Sequence, residues 1–268
     1  HAHNNLGTAL VDHERFDDAV ISYKKAIDIN PQFAEAHNNL GQVLNTLGQF
    51  KAGVNSFKKA IEINPQFTEA YYNFGLTLKK LKYFDEAINN FLSAVSIKPD
   101  FFEALNNIGS CLSFLGRIDE AIKSYEKALT INPEYANAHH DLGNALISIG
   151  QFKSGVKALE RSIEINPDFA EAYTSLGNFF KSRKQRDKSQ TYYELAYSLK
   201  PDIDFLFGEI LNNERNLCDW SNLSGSLNKL EKTIVNMKRV IAPFALLSLI
   251  DDPALQRKAT EIKVNSDF

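Results

Sequence analysis

Asparagine recurs at regular intervals along this sequence. Its side-chain amide is well suited to binding, because it can both donate and accept hydrogen bonds. Asn5, Asn39, Asn73 and Asn107 follow one another at intervals of 34 residues, and Asp141 continues the series. An Asn side chain carries donors and an acceptor, so it can pair with the backbone N–H and C=O of an extended peptide of any sequence. We therefore expect this row, called the asparagine ladder below, to bind a protein or an extended peptide.

Asparagine has a second use at such positions, because it can also cap or bridge neighbouring helices. The side chains beside the ladder leave a similar choice. Tyr72 and Leu76 stand where other repeats carry polar residues such as Asn38 with Gln42, so they form either an apolar anchor for the peptide or a solvent-facing pair without a role. Acidic residues next to the ladder argue against a basic clamp for a C-terminal carboxylate: Glu35, Glu69, Glu103 and Glu171.

The histidines do not form a metal or catalytic pattern. His3, His37 and His139 occupy the slot that Tyr71, Leu105 or Tyr173 takes in other repeats, which indicates packing side chains. The sequence contains no activated nucleophile, carboxylate pair, Gly-rich phosphate loop or Cys/His zinc spacing. We expect no catalytic residue, no cofactor and no metal ligand.

Composition excludes two classes of partner. Charged residues make up 24% of the chain and the formal net charge is −3, so we expect neither nucleic acid nor an anionic membrane surface as a partner. The most apolar stretch, 240–250, contains Pro243 and is shorter than the roughly 20 residues that span a bilayer. Cys111 and Cys218 are far apart, which favours free thiols in a reducing compartment and predicts a cytoplasmic protein.

Prolines and glycines share the 34-residue period of the ladder. Gly in a helix costs about 1 kcal/mol relative to Ala, so the periodic glycines indicate close helix packing, with small residues such as Ala19 and Ala87 opposite them. Large aromatic residues are expected to fill adjoining slots. The periodic prolines are Pro31, Pro65, Pro99, Pro133, Pro167 and Pro201, and the glycines are Gly7, Gly41, Gly75, Gly109, Gly143 and Gly177.

The pattern of Leu-Gly, Ala, Phe or Tyr, Ala and Pro at this period resembles the tetratricopeptide repeat. The resemblance covers residues 1–203 as six repeats. It implies an all-α fold, a right-handed superhelix (α-solenoid) whose first helices line a concave groove, with a helical C-terminal extension over residues 204–268. The sixth repeat departs from the others at Arg186 and Ser189, which suggests an end or a change of partner surface.

The extension has its own helical pattern. Residues 204–216 and 220–238 are predicted to form helices, and Asp252-Pro253 is predicted to cap a third helix through Ile262. Three short motifs of the extension resemble the segment that joins the repeats to the catalytic domain in bacterial relatives of O-linked N-acetylglucosamine transferase and SPINDLY. They are Cys218-Asp219-Trp220, Pro-Phe-Ala-Leu-Leu and Asp-Asp-Pro-Ala-Leu-Gln.

That second resemblance implies a parent enzyme that transfers a sugar to Ser or Thr hydroxyls, with the asparagine ladder as its protein-substrate groove. Its catalytic domains would follow Phe268, so the present residues are expected to be inactive alone. The only methionine, Met237, is internal, which suggests that part of the parent protein is missing. The alternative is a free-standing scaffold with tetratricopeptide repeats and no attached enzyme.

Overall fold

The computed structural model describes residues 1–216, 223–235 and 252–267, and these residues form helices without a strand. The all-α solenoid expected from the repeat is confirmed. The helices are α1 Ala2–Asp12, α2 Phe16–Ile29, α3 Ala34–Thr46, α4 Phe50–Ile63, α5 Thr68–Lys80, α6 Phe84–Ile97, α7 Phe102–Phe114, α8 Ile118–Ile131, α9 Ala136–Ser148, α10 Phe152–Ile165, α11 Ala170–Ser182, α12 Arg186–Leu199, α13 Leu206–Asn216, α14 Leu223–Val235 and α15 Pro253–Asp267.

Each of the first six helix pairs is joined by a tight turn that contains a residue with positive φ. Glycine serves in three of these turns, as at Gly116 with φ 76°, but Lys82 adopts φ 65° in the turn between α5 and α6. The left-handed conformation costs a non-glycine residue about 1–2 kcal/mol. The repeat therefore requires this backbone shape whether or not a glycine is present.

The turn between repeats explains the recurring Asn-Pro dipeptide. The second helix ends at Ile29, and Asn30 is extended at φ −135°. The Asn30 Oδ1 atom accepts a hydrogen bond from the backbone N–H of Gln32 at 3.1 Å, so Asn and Pro together shape the turn before α3 begins. The same bond recurs at Asn64, Asn132 and Asn166.

The chain divides into two compact bodies, His1–Ala145 and Leu146–Phe268. In the first body, the first helices α1, α3, α5 and α7 contact one another in sequence, and α2, α4 and α6 each pack against the first helices on either side. The two rows create a first-helix face and a second-helix face. The core between the rows contains Phe57, Phe91 and Tyr125.

Five of the six periodic glycines lie directly beneath aromatic rings, namely Gly7, Gly41, Gly75, Gly109 and Gly177. A Cβ added to Gly109 would stand 2.5 Å from Cε1 of Tyr125, and one added to Gly75 would stand 2.6 Å from Cε1 of Phe91. Close packing at the glycines was expected, but against small residues, with the aromatics in adjoining slots. The small residue is indeed close, since a Cβ added to Gly53 would stand 3.0 Å from the carbonyl oxygen of Gly41, but it is the aromatic ring that fills the space left by the missing side chain of the periodic glycine.

In the second body, the polar residues of the sixth repeat continue the stack. Ser189 is fully buried; its Oγ donates to the Gly177 carbonyl at 2.9 Å and accepts from Asn213 Nδ2 at 3.0 Å. Arg186 reaches the carbonyl of Asn216 at 3.4 Å. These residues join α12 to α13, so they mark a change of neighbour from another repeat to the extension.

The helices of the extension agree with the sequence pattern where the structure describes them. α13 begins two residues after the predicted start, and α14 lies within the predicted segment. The Oδ1 atom of Asp252 accepts from the backbone N–H of Ala254 at 2.8 Å, which confirms the predicted cap of α15. Side chains of α13, α14 and α15 share a core that includes Phe207, Leu230 and Ile262.

Candidate functional site

The ladder residues lie on the first-helix face of the first body. Asn39, Asn73, Asn107 and Asp141 are half-buried in α3, α5, α7 and α9, whereas Asn5 of α1 is exposed. Because these helices are neighbours, the structure brings the predicted side chains into one row. Each half-buried side chain contacts the protein on one side and remains partly accessible to solvent on the first-helix face.

Ladder asparagines form hydrogen bonds to the preceding repeat. Nδ2 of Asn39 donates to Oδ1 of Asn4 at 3.2 Å, and Nδ2 of Asn73 donates to Oδ1 of Asn38 at 3.1 Å. Each bond links residues 35 positions apart, one more than the repeat length. The alternative that asparagine bridges neighbouring helices is therefore correct for these residues. The bridging hydrogen bonds also fix the orientation of the Asn39 and Asn73 amides.

Asn107 is engaged at both ends of its amide. Its Nδ2 donates to the hydroxyl of Tyr72 at 3.3 Å and to the carbonyl of Glu103 at 2.9 Å. Its Oδ1 accepts from Nζ of Lys79 at 2.9 Å. A primary amide has two N–H groups, so both donors of Asn107 are used. Among the ladder asparagines, it has the least capacity for a ligand.

The hydrogen bond between repeats has its donor and acceptor exchanged at Asp141, where the ladder residue is the acceptor. Nδ2 of Asn106 donates to Oδ2 of Asp141 at 3.1 Å, and a nitrogen of the His140 ring lies 3.0 Å from Oδ1. An ionised carboxylate can only accept hydrogen bonds, so the neighbouring repeat must supply the donor. The departure from asparagine thus preserves the link between repeats while it changes the ladder from an amide to an anion.

Tyr72 and Leu76 differ in exposure. The Tyr72 ring packs against those of Phe101 and Phe91, with centroid distances of 4.7 and 5.7 Å, and burial raises the pKa of its hydroxyl to about 12. Tyr72 is therefore a half-buried part of the inter-repeat contact, which removes the solvent-facing interpretation. Leu76, one helical turn further along α5, is 37% exposed and is the apolar side chain that this pair offers to a ligand.

The basic side chains that flank the ladder in α5 are already in contact with the protein. Lys79 donates to Asn107, and Nζ of Lys80 lies 4.8 Å from the centroid of the Phe50 ring. The neighbouring acidic side chains Glu35 and Glu69 are exposed. The lack of a carboxylate clamp stays a prediction.

Two of the histidines have a role beyond packing. Nε2 of His37 lies 3.0 Å from the carbonyl oxygen of Pro31, and Nε2 of His139 lies 2.9 Å from that of Pro133. Both side chains are half-buried, and both join a first helix to the turn before it. The packing assignment is thus incomplete, because the ring nitrogen also takes part in a hydrogen bond.

The described residues offer little chemistry beyond the ladder. Within them, no three His, Cys, Asp or Glu side chains converge as metal ligands. None of the helices in that part of the chain combines the length and apolar character needed to cross a bilayer. Cys111 is a buried free thiol whose pKa is raised to about 11 by burial, while Cys218 lies outside the described residues. The cytoplasmic location stays a prediction.

The row of residues that pairs with the ladder was not predicted from the sequence. Asn4, Asn38 and Asn106 share one position of the repeat, immediately before the ladder, and Tyr72 stands at that position in α5. Their periodicity was as visible as that of the ladder itself. Asn38 and Asn106 are buried, which shows that this row belongs to the contact between repeats.

Family models match most of the repeat region. Models described as TPR repeat or tetratricopeptide repeat match residues 7–48, 34–67, 68–101, 115–150, 136–169 and 170–203. Together these matches cover more than half of the chain. No curated protein sequence matches it.

Solved structures with the same fold include MamA, which has 26% sequence identity and a TM-score of 0.54 over 60% of this chain and 95% of that one. YrrB, described as a TPR protein with an unusual peptide-binding site, has 20% identity and a TM-score of 0.55 over 72% of this chain and 97% of its own. PilF of Pseudomonas aeruginosa has 19% identity and a TM-score of 0.68 over 80% of this chain and 96% of its own. Because YrrB and PilF are only 20% and 19% identical to this chain, their similarity shows a shared fold and nothing about function.

Proposed function

This chain belongs to the tetratricopeptide-repeat family and is a protein-interaction module, and from that premise we propose that its first-helix face binds an extended, unfolded segment of a partner protein. The observation that carries the proposal is the row of half-buried amides held in place by bonds to the neighbouring repeat. A fixed amide loses less conformational freedom when it binds a peptide than a mobile one does.

The amides of Asn39 and Asn73 retain capacity for a ligand. Each uses one N–H in the bond to the preceding repeat, and a primary amide has a second N–H and an oxygen with two lone pairs. The oxygen of Asn39 also accepts from Nδ2 of Asn38 at 3.4 Å, which leaves it one lone pair. One such hydrogen bond contributes about 0.5–1.5 kcal/mol net. The ladder alone therefore supports weak binding that tolerates many sequences.

Leu76 supplies the apolar contact that such weak binding needs. Among the equivalent positions of the repeats, the others are polar, namely Thr8, Gln42, Ser110, Asn144 and Asn178. Full burial of a Leu side chain contributes about 1.5–3 kcal/mol, and Leu76 is still 37% exposed in the unbound chain. An apolar residue of the peptide placed at Leu76 would fix its register along the ladder.

The experiment compares two dye-labelled unstructured peptides, one with a single leucine among serine and glycine residues and one without it. Leu76→Gln, which introduces the residue of the preceding repeat, should weaken binding of the first peptide several-fold and leave the second unchanged. Leu92→Gln, at an exposed position of α6, is the matched control and should change neither. Equal effects of the two substitutions would remove Leu76 from the site.

Two settings for this module are proposed. In the first it is the substrate-recognition arm of an enzyme like O-linked N-acetylglucosamine transferase, supported by the resemblance of the extension; in the second it is a free-standing scaffold. The segments at 218–220 and 243–247 that suggest the first lie outside the described residues, and the family models end at residue 203. Both settings accommodate the same first-helix face.

The gene sequence beyond Phe268 distinguishes these settings. Two nucleotide-sugar-binding domains there would support the glycosyltransferase arm, and an immediate stop codon or an unrelated domain would leave the scaffold. In both cases we expect the purified chain itself not to hydrolyse a nucleotide sugar. Turnover that survives repurification and is abolished by a substitution in this chain would contradict that expectation.

A further inference from the structure

A second cleft lies on the second-helix face, away from the ladder. It opens between α4 and α6, with a volume of about 720 Å³, and Phe74 and Leu78 of the intervening helix α5 line it together with Val54. Among the described residues, the first helices of neighbouring repeats contact one another more closely than α4 contacts α6. The separation of these second helices leaves an apolar floor at the base of the cleft, where Phe74 is 9% and Leu78 8% exposed.

The wall formed by α4 is basic. Lys51, Asn55 and Lys58 are spaced so that they share one face of the helix, and all three are exposed. Neither lysine has an acidic partner within salt-bridge distance in the described part of the chain, whereas the adjacent Lys59 pairs with Glu62 at 3.1 Å. The opposite wall contributes one acidic side chain, Glu86. The cleft therefore has a surplus of positive charge.

The combination of these two lysines in one helix is unusual among the repeats. Four of the five other second helices place aspartate at the position of Lys51, namely Asp17, Asp85, Asp119 and Asp187, while α10 carries Lys153 there. The position of Lys58 is also lysine in α2, as Lys24. A cation in the first turn opposes the helix dipole, at a cost of about 0.3–1 kcal/mol where an anion would stabilise it. In the first body, α4 alone has lysine at both wall positions. Stability of α4 does not explain these lysines.

We propose that this cleft binds a short acidic segment of a partner protein through one bulky apolar side chain. The apolar residue would enter between α4 and α6 onto Phe74 and Leu78, and flanking carboxylates would meet Lys51 and Lys58. The exposed amides of Asn55 and Asn89 on the two walls can pair with the peptide backbone. From Lys51 to Lys58 the helix rises about 10 Å, the length of about three extended residues.

The test uses fluorescence anisotropy with a short dye-labelled peptide in which one phenylalanine is flanked by glutamates, and a matched peptide with lysines in their place. The full chain should bind the acidic peptide and bind the basic one at least about tenfold more weakly. Added salt should weaken the acidic complex, because the lysines are exposed. Equal affinity for the two peptides, or no binding of the acidic one, would overturn the proposal.

Substitutions in the α4–α6 cleft test whether the acidic peptide binds there. Lys51→Glu with Lys58→Glu should lower the affinity by at least about tenfold, and Asn89→Trp should lower it by filling the cleft from an exposed position. Lys24→Glu with Lys127→Glu makes the same charge change at exposed sites of α2 and α8 and should leave the affinity within about twofold. Thermal unfolding of each variant verifies that it is folded.

Ladder variants separate this cleft from the first-helix face. Replacing Asn39 and Asn73 by alanine should leave binding of the acidic peptide unchanged. If the ladder variant abolishes binding while the lysine variants do not, the peptide occupies the first-helix face and the cleft has no such role. The two sites can therefore succeed or fail independently.

Discussion

Asn73 donates a hydrogen bond from Nδ2 to Oδ1 of Asn38 in the preceding repeat, at 3.1 Å. Asn38 is 4% exposed, so its oxygen would be left without this donor if Asn73 were removed. We expect Asn38→Ala and Asn73→Ala each to lower the free energy of unfolding. A double-mutant cycle measured by urea unfolding should give a coupling of about 0.5–1.5 kcal/mol. Strictly additive effects would mean that the bond does not contribute to stability.

Two glycines of the same repeat should respond differently to alanine. Gly109→Ala places a methyl group against the buried Tyr125 ring and should cost about 1–3 kcal/mol through overpacking. Gly116 has φ 76° and open space around it, so Gly116→Ala should cost about 1–2 kcal/mol through backbone strain alone.

A second substitution distinguishes these two causes. Tyr125→Leu, which introduces the residue found at the equivalent position as Leu159, should reduce the cost of Gly109→Ala but not that of Gly116→Ala. Free energies of unfolding for the single and double variants provide the comparison. Equal rescue of both glycine variants would show that ring contact is not the cause at Gly109.

The turn between α5 and α6 can be stabilised by a glycine. Lys82 adopts φ 65°, and Gly48, Gly116 and Gly150 occupy the same turn position in other repeats. Lys82→Gly should remove strain of about 1–2 kcal/mol, partly offset by the greater freedom of glycine in the unfolded chain. We expect a net gain of up to about 1 kcal/mol. Lys127→Gly in the exposed middle of α8 should instead lose about 1 kcal/mol.

Alkaline pH should destabilise the folded chain through its buried tyrosines. Burial raises the pKa of Tyr125 above its usual value of 10.0, and that of Tyr72 to about 12. Below pH 10 the hydroxyls of Tyr125 and Tyr72 are neutral in both the folded and the unfolded chain. As pH rises above 10, the unfolded chain loses these protons first, so the free energy of unfolding falls up to the folded pKa.

Tyr125→Phe tests the alkaline effect, because phenylalanine already fills the equivalent slot as Phe57 and Phe91. The variant should lose less stability than the parent between pH 10 and pH 12, although it lacks the contact of the hydroxyl with Ser113. Urea unfolding at pH 8, 10 and 11 measures the difference. Parallel pH profiles would indicate that Tyr125 ionises equally easily in both states.

The sequence allowed the helix pairs and the ladder to be predicted because both depend on periodicity along one chain. The partners of the ladder depend on the register between neighbouring helices, which joins Asn73 to Asn38 and not to Asn39. That one-residue offset is a property of helix packing. The same limit applies to the ring of Tyr125 over Gly109, since spacing alone does not determine which opposing residue meets the glycine.

The α4–α6 cleft was not predicted, although the charge change at Lys51 was visible in the repeat alignment of the sequence itself. Its apolar floor could not be inferred in the same way. Phe74 and Leu78 follow the ordinary core pattern of a first helix, and only the spacing of α4 and α6 opens space above them.

Peptide affinity of an asparagine-ladder variant tests the central claim most directly. Asn39→Ala with Asn73→Ala, at the two ladder positions whose amides retain capacity for a ligand, should weaken binding of an extended, unfolded peptide by about 1–3 kcal/mol, with helicity nearly unchanged. Asn30→Ala with Asn64→Ala is the matched control: it removes two side-chain bonds of the turns between repeats but leaves the ladder and its partners intact, so it should lower the melting temperature and retain binding. An unchanged affinity for the ladder variant, together with a lower melting temperature, would contradict the account and leave the ladder a structural bridge alone.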